Sequence, residues 1–246
     1  MNNFYKIFII SFLIFSTAIS TAQSLFKATI LGGLNMSQVD GDKQQGFRKP
    51  GMSIGLSGSI FVQPDFEIST ELLYNEKGSK PNPNKGIEKT NLFSTFSLQY
   101  SEIALLAHYH YSPNSSKSYY VQSLYAGLSY GRLLKSSTSI VQNNLPYTKL
   151  ESEVTSKFNR HDFSFIVGWS YLFTERIGIS MRYTSTMNFL YTNPDYRFAS
   201  NEAGFEHLKP YFVSFHLFYN LLSPNKVMGL KSKKQKARTN PLEELY

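Results

Sequence analysis

The feature that most constrains this chain is a period of two. From Phe26 onward apolar residues fall at every second position, in segments of about ten to twelve residues that each end in turn residues. Met52, Ile54, Leu56, Gly58, Ile60 and Val62 share one face, against Gly51, Ser53, Gly55, Ser57 and Ser59 on the other. After Gln63-Pro64-Asp65 the pattern resumes as Phe66, Ile68, Thr70, Leu72 and Tyr74, opposed by Glu67, Ser69, Glu71, Leu73 and Asn75. A second hairpin sets Phe163, Phe165, Val167, Trp169, Tyr171 and Phe173 against Asp162, Ser164, Ile166, Gly168, Ser170 and Leu172, and returns through Ile177, Ile179, Met181 and Tyr183. Segments near 26–37, 97–111, 119–135 and 210–221 bring the expected total to eight strands. Helical periodicity is nearly absent.

Alternation alone suits a soluble sandwich as well as a membrane barrel, because both have one apolar face per strand. Two further patterns separate them. Large aromatics cluster at the segment ends (Tyr74, Tyr109, Tyr111, Tyr130, Trp169, Tyr171, Phe173, Tyr219), where interfacial girdles belong. Connections at 63–65, 112–118 and 174–176 are short, whereas those at 38–49, 78–96, 136–160 and 187–209 are long. Strict alternation of short and long connections is what an outer-membrane barrel with tight periplasmic turns requires. The reading is therefore an all-β fold, an eight-stranded antiparallel up-and-down transmembrane β-barrel.

The ends of the chain fit that address. Lys6, an apolar stretch from Ile7 to Phe15, and small residues at Ser20 and Ala22 make residues 1–22 read as a cleaved signal peptide. The barrel then occupies 23–221, and 222–246 form a basic tail on the periplasmic side. Removal of Lys6 lowers the formal charge from +8 to +7. With 0 cysteines, an exported chain has no disulfide to rely on.

Several segments resemble the PorT-like outer-membrane β-barrel proteins of the Bacteroidetes. These are Gly32-Gly33-Leu34-Asn35-Met36-Ser37, Lys49-Pro50-Gly51, Glu71-Leu72-Leu73-Tyr74-Asn75-Glu76-Lys77-Gly78, Tyr100-Ser101-Glu102-Ile103, Tyr125-Ala126-Gly127 and Arg182-Tyr183. The resemblance implies an eight-stranded barrel in the outer membrane. It assigns no activity, although the family is named after a member linked to protein secretion.

Candidate functional groups divide into three sets. Inward charges at Glu71, Glu102 and Arg182 are costly alone in a narrow interior, so they are expected to pair across the lumen; Arg132 joins them in one of the two registers open to its strand. His108 and His110 share an inward face and His216 lies on the last strand, so the three are read as hydrogen-bonded lumen histidines rather than metal ligands. In the tail, Lys231, Lys233, Lys234, Lys236 and Arg238 form a basic run suited to an anionic surface or partner. His161-Asp162 with Ser164 lacks an elbow or an oxyanion motif, so no catalytic residue and no cofactor is assigned, and the protein is expected not to be an enzyme. No phosphate loop or nucleic-acid module is present in the sequence.

Two function classes follow: a structural or interaction barrel whose outward loops bind a protein or glycan and whose tail binds a periplasmic or cell-wall partner, or a narrow gated channel or secretion accessory. The 136–160 connection is too long to be without structure. Thr138, Ile140 and Gln142 alternate with Ser139 and Val141, and Leu150–Phe158 mixes Val154 and Thr155 with charges. The expectation is that the fifth and sixth strands continue past the membrane as a protruding hairpin tipped at Asn144–Tyr147.

Overall fold

The computed structural model describes residues 26–42, 46–81, 92–113, 119–142, 145–146, 148–193 and 205–222. In chain order the strands are β1 (Phe26–Asp40), β2 (Lys49–Gln63), β3 (Phe66–Ser79), β4 (Leu92–Pro113), β5 (Tyr120–Gln142), β6 (Leu145–Pro146), β7 (His161–Leu172), β8 (Ile177–Thr186), β9 (Tyr191–Thr192) and β10 (His207–Leu222). A single described helix, α1 (Thr148–Ser156), sits between β6 and β7, and none is long and apolar enough to cross a membrane. Eight long strands form the ring β1-β2-β3-β4-β5-β7-β8-β10, with every neighbour antiparallel, and β10 pairing back onto β1 closes it. Closure leaves no sheet edge, which is the condition for strands to cross lipid.

The period of two sorts the side chains as read from the sequence. Leu34, Ile54, Leu56, Leu72, Leu105, Leu128, Val167 and Leu217 are exposed on the outer wall, while Asn35, Ser53, Glu71, Glu102, Ser129 and Ser214 are buried in the lumen. At the periplasmic end of the wall, Trp169 Nε1 donates to Tyr111 Oη at 3.0 Å, and the Tyr111 hydroxyl donates to Gln122 at 3.0 Å. Aromatic bodies thus face the acyl chains while their polar tips are satisfied at the interface.

The fifth strand settles its own register. Arg132 pairs with Ser101 on one side and His161 on the other and is exposed on the outer wall, so it does not join the lumen charges. Above it a bulge leaves Leu134 without a partner residue between Leu133 and Lys135, which re-aims the rest of the strand.

The expected protruding hairpin of the fifth and sixth strands forms only as a stub, Val141↔Pro146 and Gln142↔Leu145, and its return arm does not continue as a strand. β5 is prolonged instead against β4, from Gln99↔Lys135 to Leu92↔Gln142, and turns briefly onto β6. Leu150–Phe158 is helical through Ser156, because Leu150, Val154 and Phe158 recur every fourth residue and give a helix an apolar stripe; Val154 and Phe158 are buried under it. Of the expected tip, Asn144 and Tyr147 lie outside the described residues. The long connections fold inward, with Asn159 N donating to Leu190 O at 2.7 Å and Leu190 N to Leu208 O at 2.8 Å.

Arginine placed at Leu56 or Val167, near the middle of the wall, will lower unfolding stability in lipid vesicles by about 2–4 kcal/mol, whereas arginine at Leu221 by the periplasmic rim will cost only about 0–1 kcal/mol. Because the chain has 0 cysteines, a cysteine introduced at Lys149 will be the sole thiol and will react with an impermeant maleimide on whole cells. One introduced at Glu175 will react only after the outer membrane is opened.

Candidate functional site: a charged lumen under an apolar cap

Three ionic layers fill the barrel. Nearest the periplasm, Lys27 Nζ lies 2.6 Å from the Glu67 carboxylate, which also takes His110 Nε2 at 2.9 Å. His110 Nδ1 reaches Ser123 Oγ at 2.7 Å, and His108 Nε2 reaches Ser69 Oγ at 2.7 Å. Both histidines face inward as expected and are held by hydrogen bonds.

The middle layer crosses the lumen. Arg182 Nη1 and Nη2 donate to the two oxygens of Glu71 at 2.6 and 3.2 Å, a two-pronged bond between β3 and β8, which stand opposite each other in the ring. Tyr125 lies beside it, with the Arg182 guanidinium 5.5 Å from the ring centroid. Tyr125 reaches this place by passing over Gly168, where a Cβ would stand 2.4 Å from the ring; only glycine admits it. His216, on the other side, bonds Ser53 at 2.8 Å. It does not meet His108 and His110, and among the described residues no group of three metal-ligating side chains gathers.

Nearest the outside, Lys77 Nζ is shared by Glu102 at 3.0 Å and Asp162 at 2.7 Å, and sits 4.1 Å from the Tyr100 ring centroid. Asn75 donates to Glu102 at 2.7 Å, Asn35 donates to Asn75 at 3.2 Å, and Ser164 donates to Asp162 at 2.6 Å. The single expected cluster is therefore two: Glu71 belongs with Arg182, and Glu102 with Lys77 and Asp162. Lys77 was missed although it continues the inward alternation of Glu71, Leu73 and Asn75, and Asp162 although it heads the inward face of β7. Lys27 and Glu67 were readable by the same parity.

Above these layers the strand extensions and loops close the mouth with apolar side chains. Val39, Phe96, Leu98, Ile140, Val154 and Leu208 are fully buried there, and Phe158, Leu190, Tyr191 and Phe205 pack against them. Between the lower and middle layers lies a cavity of about 60 Å³ lined by Glu67, Glu71, His108, His110, Tyr125 and Arg182, among others. That is room for about two water molecules.

Residues 21–189, more than half of the chain, match the family described as outer membrane protein beta-barrel domain. The chain belongs to this family. Its strands lie in the outer membrane, where that family resides. Among solved structures, the chain is similar to Ail, the attachment invasion locus protein of Yersinia pestis, at 12% identity over 79% of this chain and 98% of that one, with a TM-score of 0.41. It is similar too to OprG from Pseudomonas aeruginosa, at 13% identity over 81% and 97% with a TM-score of 0.38. Neisserial surface protein A matches at 10% identity over 80% and 96%, with a TM-score of 0.36. None of the curated proteins matches the sequence.

A buried charge that loses its partner costs far more than the pair contributes. Arg182→Met alone will therefore lower unfolding stability by about 3–5 kcal/mol, while the double change Glu71→Met with Arg182→Met will recover most of that loss in the same denaturant titration. Losses that add, so that the double variant falls by the sum of the two single ones, would show that the two side chains act independently.

Proposed function

We propose that this is a non-catalytic outer-membrane barrel with a structural or interaction role, its outward loops presenting a binding surface for a protein or glycan. The observation that carries the reading is the filled lumen. Glu71 and Arg182 bridge opposite walls, the Lys77 layer lies above them, and fully buried apolar groups cover both. An eight-stranded interior is just wide enough for side chains, and this one is occupied by them. What remains for recognition is the outside: the loops at one rim and the chain ends at the other.

The domain plan goes with this reading: a signal peptide in 1–22, the barrel in 23–221 and a basic tail in 222–246. The tail carries Lys226 and the run Lys231, Lys233, Lys234, Lys236 and Arg238 against Glu243 and Glu244, a net +4 concentrated beyond the last strand. Its chemistry suits an anionic periplasmic or cell-wall partner. The tail lies outside the described residues.

A second reading, a narrow gated channel or a secretion accessory of the PorT-like kind, draws on the 60 Å³ cavity and on the segments that resemble that family. Current recording in planar bilayers separates the two. The proposed barrel holds a flat baseline at every applied voltage, and affinity capture from detergent-solubilised outer membrane retains a partner that is lost when the loops or residues 222–246 are deleted. Stepwise conductance abolished by a side chain that fills the cavity would favour the channel.

A further inference from the structure

On the outer wall, β5 and β7 carry an ordered series of side chains. Starting from Gln122 and Trp169 at the periplasmic interface, the outward residues of β5 run Leu124, Ala126, Leu128, Tyr130, Arg132, and those of β7 run Val167, Phe165, Phe163, His161. Ten residues at a rise of about 3.3 Å, on a strand inclined by about 40°, put Arg132 about 25 Å along the barrel axis from Gln122. An apolar band of about 25 Å is the height of the hydrocarbon layer that such barrels cross. Arg132 and His161 therefore stand at the level of the outer-leaflet headgroups.

The groups there are bonded into one unit. Arg132 Nη1 is 2.9 Å from His161 Nε2, and Tyr130 Oη is 2.7 Å from His161 Nδ1. A guanidinium has no acceptor, so His161 Nε2 accepts, Nδ1 carries the proton and donates to the tyrosine oxygen, and the tyrosine's own O–H is left to donate elsewhere. The main chain under the cluster is pinned from β8's end, since Asn188 accepts from Phe163 N at 2.7 Å and donates to His161 O at 2.8 Å.

Charge decides what this unit fits. Arg132, Lys135 and Arg160 are all exposed, and among the described residues none forms a salt bridge. The residues in register with Arg132 are Ser101 and His161, neither acidic. On the far side of the barrel, by contrast, Lys209 pairs in register with Asp40. A wall facing headgroups with uncompensated guanidinium and ammonium groups, and a spare hydroxyl donor beside them, matches a phosphate.

We propose that the β5–β7 seam, through Arg132, His161 and Tyr130 with Lys135 and Arg160 nearby, binds a phosphate carried by the glycolipid of the outer leaflet. The site is on the membrane-facing wall and is independent of the loops and tail, so it stands whichever reading of the function holds.

Native mass spectrometry of the detergent-solubilised full chain, titrated with phosphorylated lipid A, tests it. The wild-type protein retains one lipid A molecule; Arg132→Gln weakens retention about tenfold, as loss of a charge-assisted contact implies, His161→Gln weakens it less because it only releases the Arg132 and Tyr130 side chains from their bonds, and Lys157→Gln on α1's flank leaves it unchanged. Dephosphorylated lipid A binds as weakly as lipid A does to Arg132→Gln. Equal retention of the dephosphorylated lipid, undiminished binding by a correctly folded Arg132→Gln variant, or an equal loss in Lys157→Gln would overturn the proposal. Displacement of lipid A by excess inorganic phosphate would overturn it too, because the anion alone would then be the ligand.

Discussion

The contact between Glu71 and Arg182 ties together walls that the backbone does not. Within the ring each long strand is hydrogen-bonded only to the strand on either side, so β3 and β8, four places apart, have no main-chain connection. The two-pronged ion pair supplies one, at 2.6 and 3.2 Å. In a lumen screened from water a carboxylate and a guanidinium must meet or be heavily penalised, so this pair restricts how the barrel can shear. The surrounding choices follow from it: glycine at 168 lets Tyr125 lie against the guanidinium, and small residues such as Ser57 and Ser180 leave space for long side chains to reach the axis.

The other two layers repeat the solution with different chemistry. At the lower one, Glu67 is shared between Lys27 and His110, with serine completing the histidine's bonds. At the upper one the ratio reverses, with one ammonium serving two carboxylates, and neutral donors from Asn75, Ser164 and Thr186 satisfy the remaining oxygens. The aromatic face of Tyr100, 4.1 Å from Lys77 Nζ, adds a further favourable contact for the cation. Lys77 is thus the least replaceable of these groups on electrostatic grounds, since its loss strands two anions instead of one.

The fold was legible because a barrel enforces one rule at every residue. Lipid on one side and a narrow lumen on the other make the period of two unambiguous from Met52 to Val62 and from Phe163 to Tyr183, and the parity placed Glu71, Glu102, His108, His110, Arg182 and His216 inside. The rule does not say which inward residues share a level, because that depends on strand tilt and stagger; parity alone therefore groups Glu102 with Arg182, although it belongs with Lys77. It also ends where the strands leave the membrane. There Leu150, Val154 and Phe158 follow a helical spacing over less than three turns, too brief to stand out beside strand-like neighbours, and only burial against Phe96 and Leu190 selects the helix.

The short stretches around Asn35, Asn75, Tyr100, Tyr125 and Arg182 acquire a physical meaning in this light. Asn35 and Ser37, Asn75 and Lys77, Tyr100 and Glu102, Tyr125, and Arg182 all face the lumen, and most touch one another: Asn35 to Asn75, Asn75 to Glu102, Lys77 to Glu102 and to the Tyr100 ring, Gly78 N to Ser37. These stretches are thus material for holding a barrel together. A network of this kind can persist while the surfaces that meet other molecules change freely, because neither the loops nor the lipid-facing wall enters its bonding. The lumen network therefore serves to build the barrel, and recognition has to be sought on the outer wall and at the rims.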